Sequence, residues 1–191
     1  MAGLAHYKNS KISMANYEPV YLNLFEVIIT PPADATRFTD EKELVLEEIT
    51  KISGLVTDVV ADSGVEQVYK GAKRRFANAF APQTTVDLVI GFNVNVKSDD
   101  NSLIAYKSLR EWCDLIWNPL TGGMSLKSTY IGGPLTVLLH NKANDVLREW
   151  VFPTIWPKTA PAEMSLEYGD GSAIYSTEIT FCADYWEDVT V

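Results

Sequence analysis

The chain has 191 residues, 47% of them hydrophobic and 11% aromatic, enough to bury one core without disulfide or metal staples. Its 25 acidic against 16 basic side chains give a net charge of −9, which argues against a protein that grips nucleic-acid phosphates. Two cysteines, Cys113 and Cys182, do not make a disulfide framework and read as packed thiols in a reducing compartment.

Residues 1–22 are polar and irregular and read as an N-terminal arm. They contain no apolar run of the signal-peptide kind, and no stretch of the chain approaches the ~20 apolar residues of a membrane-spanning helix. The first strand is expected to end at Ile29, with Phe25, Val27 and Ile29 on one face and Pro31-Pro32 stopping it. Residues 33–43 read as an acidic loop and residues 44–52 as a strand carrying Glu47, Glu48 and Lys51. Asp62-Ser63-Gly64 signals a turn, and residues 65–75 form a further strand candidate.

Residues 84–96 alternate most cleanly: Val86, Leu88, Ile90, Phe92, Val94 and Val96 share a face, the pattern of an antiparallel strand with one side in a core. A single long helix is expected over about 99–117, capped by Ser98-Asp99-Asp100-Asn101 and striped by Leu109, Trp112, Cys113 and Ile116. Residues 135–140 and 145–152 form a hairpin across the linker Asn141-Lys142-Ala143-Asn144. The last strand covers residues 176–185, with Ile179, Phe181, Ala183 and Tyr185 facing the core. Strands linked by turns rather than by alternating helices predict a mainly-β, antiparallel β-sandwich or small barrel with one flanking α-helix.

Chemistry is scarce along this chain. His6 and His140 have no partner at metal-ligand spacing, and the isolated cysteines cannot build a Cys/His cluster. Gly132-Gly133-Pro134 and Gly169-Asp170-Gly171-Ser172 are turns, since neither opens a helix after a strand. The pairs Glu47-Glu48 and Asp99-Asp100 read as solvated or capping carboxylates. A basic knot, Lys70, Lys73, Arg74 and Arg75, is expected to meet an acidic neighbouring subunit rather than nucleic acid. No catalytic residue, metal or cofactor is expected.

Three local matches then carry a resemblance. Asn23-Leu24-Phe25-Glu26-Val27 is similar to the opening strand of the inner tube proteins of contractile bacteriophage tails, T-even-like ones in particular. Trp156-Pro157 resembles that family's Leu-Trp-Pro turn, with Ile155 in place of the Leu, and Asp184-Tyr185-Trp186-Glu187 resembles its C-terminal end. The similarity runs over residues 23–187, the domain it implies, leaving 188–191 as a short tail. It departs at the arm, at residues 33–43 and beyond Glu187.

The resemblance implies a structural subunit whose hexameric rings close their inner strands into a continuous β-barrel and stack into a hollow conduit for DNA. Its implied partners are copies of itself, the tail sheath, the tape-measure, baseplate and tail-terminator proteins, and viral DNA passing without specific binding. The implied location is the virion tail, after assembly in the host cytoplasm. Glu149 and Glu47 are candidate lumen-facing residues, where ring symmetry would multiply a charge that repels DNA. Tubes of type VI secretion and extracellular injection systems are the alternative within the class. Outside it stand a carbohydrate-binding β-sandwich using Trp117, Trp156, Tyr168 and Tyr175, and a hydrolase using paired carboxylates.

Overall fold

A computed structural model describes residues 20–55, 65–69, 72–76, 85–162 and 174–189. The alternating segments pair into two four-stranded antiparallel sheets. Sheet A has the order β1-β6-β7-β10, from β1 (Phe25–Ile29), β6 (Leu135–His140), β7 (Val146–Phe152) and β10 (Glu187–Val189). Sheet B has the order β2-β5-β9-β8, from β2 (Ile49–Ser53), β5 (Val86–Asn93), β9 (Ser176–Ala183) and β8 (Ile155–Pro157). The expected sandwich is therefore present, and no closed barrel forms within the described residues.

Period-two alternation sets the faces. In β5, Val86, Leu88, Ile90 and Phe92 are buried, while Asp87 is exposed. In β9, Ile179, Phe181 and Ala183 are buried opposite them, in the register Leu88↔Phe181 and Ile90↔Ile179. From sheet A, Val27, Ile29, Leu135, Val137, Trp150 and Phe152 enter the same core. Burying each such side chain stabilises the fold by about 1.5–3 kcal/mol.

Helix α3 (Ile104–Ile116) flanks the sandwich through the expected stripe. Leu109 and Trp112 are buried, Cys113 and Ile116 half-buried. The Trp112 ring meets Phe181 at 5.4 Å and Phe38 edge-on at 5.6 Å. Its Nε1 donates to the Tyr130 carbonyl at 2.8 Å, so the one polar atom on this ring is satisfied. Gly132 lies against the same ring: an added Cβ would stand 2.6 Å from its edge.

Several expectations are corrected. Residues 33–43 are not a loop but carry α1 (Thr36–Asp40) and the start of α2 (Lys42–Glu47), so the strand expected over 44–52 begins only at Ile49. Phe38 anchors the first of these short helices and Val45 the second, one buried side chain each among acidic neighbours. The single strand expected over 65–75 is a hairpin, β3 (Val65–Tyr69) and β4 (Ala72–Phe76), in the register Val65↔Phe76. Strand β5 stops at Asn93, and Val96 is exposed rather than in the core. Helix α3 starts at Ile104, five residues later than 99, and its N-cap, Leu103, makes no side-chain cap. A fourth helix, α4 (Lys127–Tyr130), precedes β6. The last strand breaks at Ala183, and Tyr185 is exposed. The turn at 62–64, the 169–172 turn and most of the arm lie outside the described residues.

Candidate assembly surfaces

The free N–H groups at the start of α3 are satisfied from far away in sequence. Glu48, only 4% exposed, accepts from the Asn95 N–H through Oε1 at 2.9 Å and from the Ala105 N–H through Oε2 at 3.0 Å. The carboxylate joins the end of α2, the exit of β5 and the first turn of α3, where the helix dipole favours negative charge. Burial nevertheless pushes its pKa above the ordinary 4.5, and the nearby Glu41 adds to the rise. Glu41 is also buried; it accepts from Lys97 Nζ at 3.0 Å and from Ser108 Oγ at 3.4 Å. That contact holds the Lys97 ammonium above its usual range. Of the two readings of this pair, solvated fits the exposed Glu47 and capping fits Glu48, which is turned inward at the end of helix α2 and caps α3 rather than a local helix.

Residues that could do covalent chemistry are held in structural contacts. Cys113 Sγ lies 3.7 Å from the Thr159 carbonyl, and burial pushes its thiol up to about 11, so it is no nucleophile at neutral pH. Cys182 is likewise raised, first by burial and then by Asp87. His140 Nε2 stands 3.6 Å from a Glu26 carboxylate oxygen. Among the described residues, no group of three or more His, Cys, Asp or Glu could hold a metal ion.

The two outward sheet faces differ in kind. On sheet B, Lys51 of β2 reaches across Gly91 to Glu178 of β9 at 3.1 Å. Lys158, just past β8, reaches across β9 to Asp87 of β5 at 2.5 Å. Both pairs are half-exposed, so solvent screens them and they add little stability while leaving the face polar and charge-balanced. On sheet A, the outward face mixes acids with aliphatics. Glu149 lies on it, opposite Leu138 and Val189, with Glu26 on β1, Val151 beside it on β7 and Glu187 on β10. Glu47 reaches the rim of that sheet from the end of α2 and shares a surface depression with Glu26.

The basic knot falls on the separate β3–β4 hairpin, where Arg75 pairs with Glu66, Arg74 with Gln67, and an exposed Lys73 with an exposed Val68. Lys70 lies outside the described residues. This two-stranded sheet pairs with neither larger sheet among the described residues. Such a hairpin has little stability of its own.

The motif residues cluster where the chain changes sheets. It crosses from β7 to β8 at Thr154 and from β9 to β10 at residues 184–186, and the Thr154 hydroxyl donates to Asp184 at 3.3 Å. Lys127 Nζ binds the same Asp184 oxygen at 2.6 Å and sits 4.3 Å from the Trp156 ring centroid. Pro157 is buried in the edge strand β8, where its missing donor costs no interior ladder bond. Trp186 is buried between the crossings, and Glu187 pairs with Val151. Sequence reasoning missed Glu41, Lys97 and Lys127, and named Glu48 and Glu26 without their contacts, because all five act through residues distant in the chain.

No protein-family model matches the sequence, and no curated protein matches it. Among solved structures the fold is similar to the tube-terminating cap of the anti-feeding prophage, with TM-score 0.57, 18% identity and 100% of both chains covered. It is also similar to a chain of the sheath–tube complex of an extracellular contractile injection system, PVC, in the extended state. That match has TM-score 0.55 and 17% identity over 93% of this chain and 95% of that one. The sheath/tube terminator of that system gives TM-score 0.50 and 15% identity over 92% and 99%. The chain thus shares its fold with components of contractile injection systems, the architecture to which the tail-tube resemblance pointed.

Proposed function

We propose that the chain is a non-catalytic structural subunit of a contractile tail or injection particle, one that assembles with its own copies into the inner tube. The observation that carries this reading is a fold likeness over the whole chain to such components, joined to a sandwich with two distinct outward faces. In the assembly, edge strands of neighbouring subunits pair around a hexameric ring and rings stack into a conduit. Strands β1 and β2 are the five-residue edges that offer free backbone groups, while β8 and β10, at three residues each, are short. Glu149 and Glu47 face the bore, and the β3–β4 hairpin with Lys70, Lys73, Arg74 and Arg75 contacts a neighbour. A sheath surrounds the tube, with tape-measure, baseplate and terminator proteins at its interior and ends. Phage and injection particles both suit this subunit, and DNA is the cargo in the phage case.

A second reading is favoured by the full coverage of both chains in the cap comparison: a terminal ring that closes the tube. Sedimentation velocity of the purified chain over a wide concentration range tests both. Growth beyond a single ring supports a tube subunit; a discrete ring that never stacks supports a cap; a monomer throughout refutes both. The lining role of Glu149 is tested by Glu149→Lys. Particles built from that variant should retain or slow an anionic cargo, and unchanged release would remove Glu149 from the bore.

A further inference from the structure

The segment between α3 and α4, residues 117–126, contains no charged residue in a chain of net −9. Its apolar side chains face solvent: Leu120 is 94% exposed, Met124 80%, Leu126 78% and Trp117 51%. The backbone beneath them is nonetheless ordered by its own bonds. Asn118 Oδ1 accepts from the Leu120 N–H at 2.9 Å and the Thr121 N–H at 3.3 Å, and the Gly122 N–H returns to the Asn118 carbonyl at 2.8 Å. Gly122 takes a positive φ of 67°, and the Ser125 N–H ties the far side of the loop to the Ile116 carbonyl at 3.1 Å. A preformed knob loses little further freedom when it docks.

An apolar groove opens at the other edge of sheet B. It is an opening of about 330 Å³ between the two sheets, floored by Phe25, Ile52, Leu139 and Trp150 and rimmed by Leu22 and Leu55. Lys51 is the one charged residue among the described residues that line it. The knob sits beside β8: Lys127 covers Trp156 of that strand, and the Gly132 N–H bonds to the Ile155 carbonyl at 2.8 Å. The groove sits on β2. Those are the two outermost strands of sheet B, separated by β5 and β9, about 14 Å at the usual strand spacing.

We propose that the 117–126 knob of one copy docks into the β2-edge groove of the next, a head-to-tail contact. The proposal deepens the self-assembly reading above and rests on it. Knob and groove lie on opposite edges of one molecule, so the contact is heterologous and repeats around a closed ring or along a filament. Its chemistry suits copies that repel one another: the knob has no charged residue and the groove has no carboxylate among the described residues that line it, so their docking removes apolar area from water without setting these side chains' like charges together.

The test uses the full chain and two substitutions at solvent-facing positions, Leu120→Asp in the knob and Leu22→Asp, 83% exposed, at the groove. Far-UV circular dichroism and thermal melts check that both fold. Sedimentation of each alone should show association weakened by about 10- to 100-fold, as expected from losing one buried aliphatic anchor. An equimolar mixture of the two should form one-to-one dimers that do not grow, because one intact knob meets one intact groove. Asn118→Ala, which loosens the loop and keeps its apolar side chains, should weaken association less than Leu120→Asp.

Native assembly by either variant alone overturns the pairing while leaving the self-assembly reading standing. A mixture that forms no dimer overturns it too. A groove already filled by another segment of the same chain would show as a Leu120→Asp protein that assembles normally, the same refutation. If the unaltered chain stays monomeric at every concentration, the self-assembly reading itself fails.

Discussion

Replacing Glu48 by Ala removes the acceptor that joins α2, the end of β5 and the start of α3. Two backbone donors then lose a carboxylate. The Ala105 N–H is buried and has no replacement, whereas the Asn95 N–H is only partly buried and water can take it over. An unsatisfied buried donor costs about 1–3 kcal/mol. The one lost methylene group, Cγ, adds roughly 0.8 kcal/mol where the space cannot collapse. Against this, the variant no longer holds a carboxylate away from water, the effect that raises the Glu48 pKa. The balance is a loss of about 1–3 kcal/mol. Urea unfolding followed by far-UV circular dichroism should show a lower midpoint at an unchanged slope. A midpoint equivalent to less than about 0.5 kcal/mol would refute the claim that Glu48 holds these elements together.

The pH dependence of the same group has a definite sign. Its folded pKa lies above the ordinary 4.5, so its contribution is fully present below that value and falls as pH rises through the folded one. Native stability minus that of Glu48→Gln should therefore decline from pH 4.5 toward neutrality; a difference that rises would contradict the assignment. Lys97 carries the opposite end of the scale. Its folded pKa is raised by Glu41, so its stabilising contact is complete below 10.5 and is lost at more alkaline pH, and Lys97→Met should flatten that alkaline limb in thermal melts. Gly132→Ala pushes a methyl group into the Trp112 ring and the Thr30 carbonyl, and calorimetry should register a loss of about 1–3 kcal/mol.

What was legible in the sequence is what alternation writes directly. The faces of β5 and β9, the hairpin β6–β7 and the stripe Leu109–Trp112 on α3 all follow from period two or period 3.6. The two short helices at 36–47 escaped because each has one buried anchor, Phe38 or Val45, too few to show a period. The cap of α3 escaped for another reason. The local Ser-Asp-Asp-Asn run fits a cap in composition, and Asp100 does bond the Ser102 N–H at 3.0 Å, but the helix begins beyond its reach. A carboxylate 57 residues away takes the role, and nothing local records that pairing. The C-terminal motif was legible as a mark but not as a geometry: Asp184 pins two sheet crossings through Thr154 and Lys127, so the strand ends where the sequence alternation appeared to continue.

Whether the chain assembles with its own copies is read from electron microscopy of the purified chain in negative stain at rising concentration. Rings of six-fold symmetry with an open centre are expected, lengthening into hollow tubes if the chain is a tube subunit. Compact single particles of one chain at every concentration would contradict it.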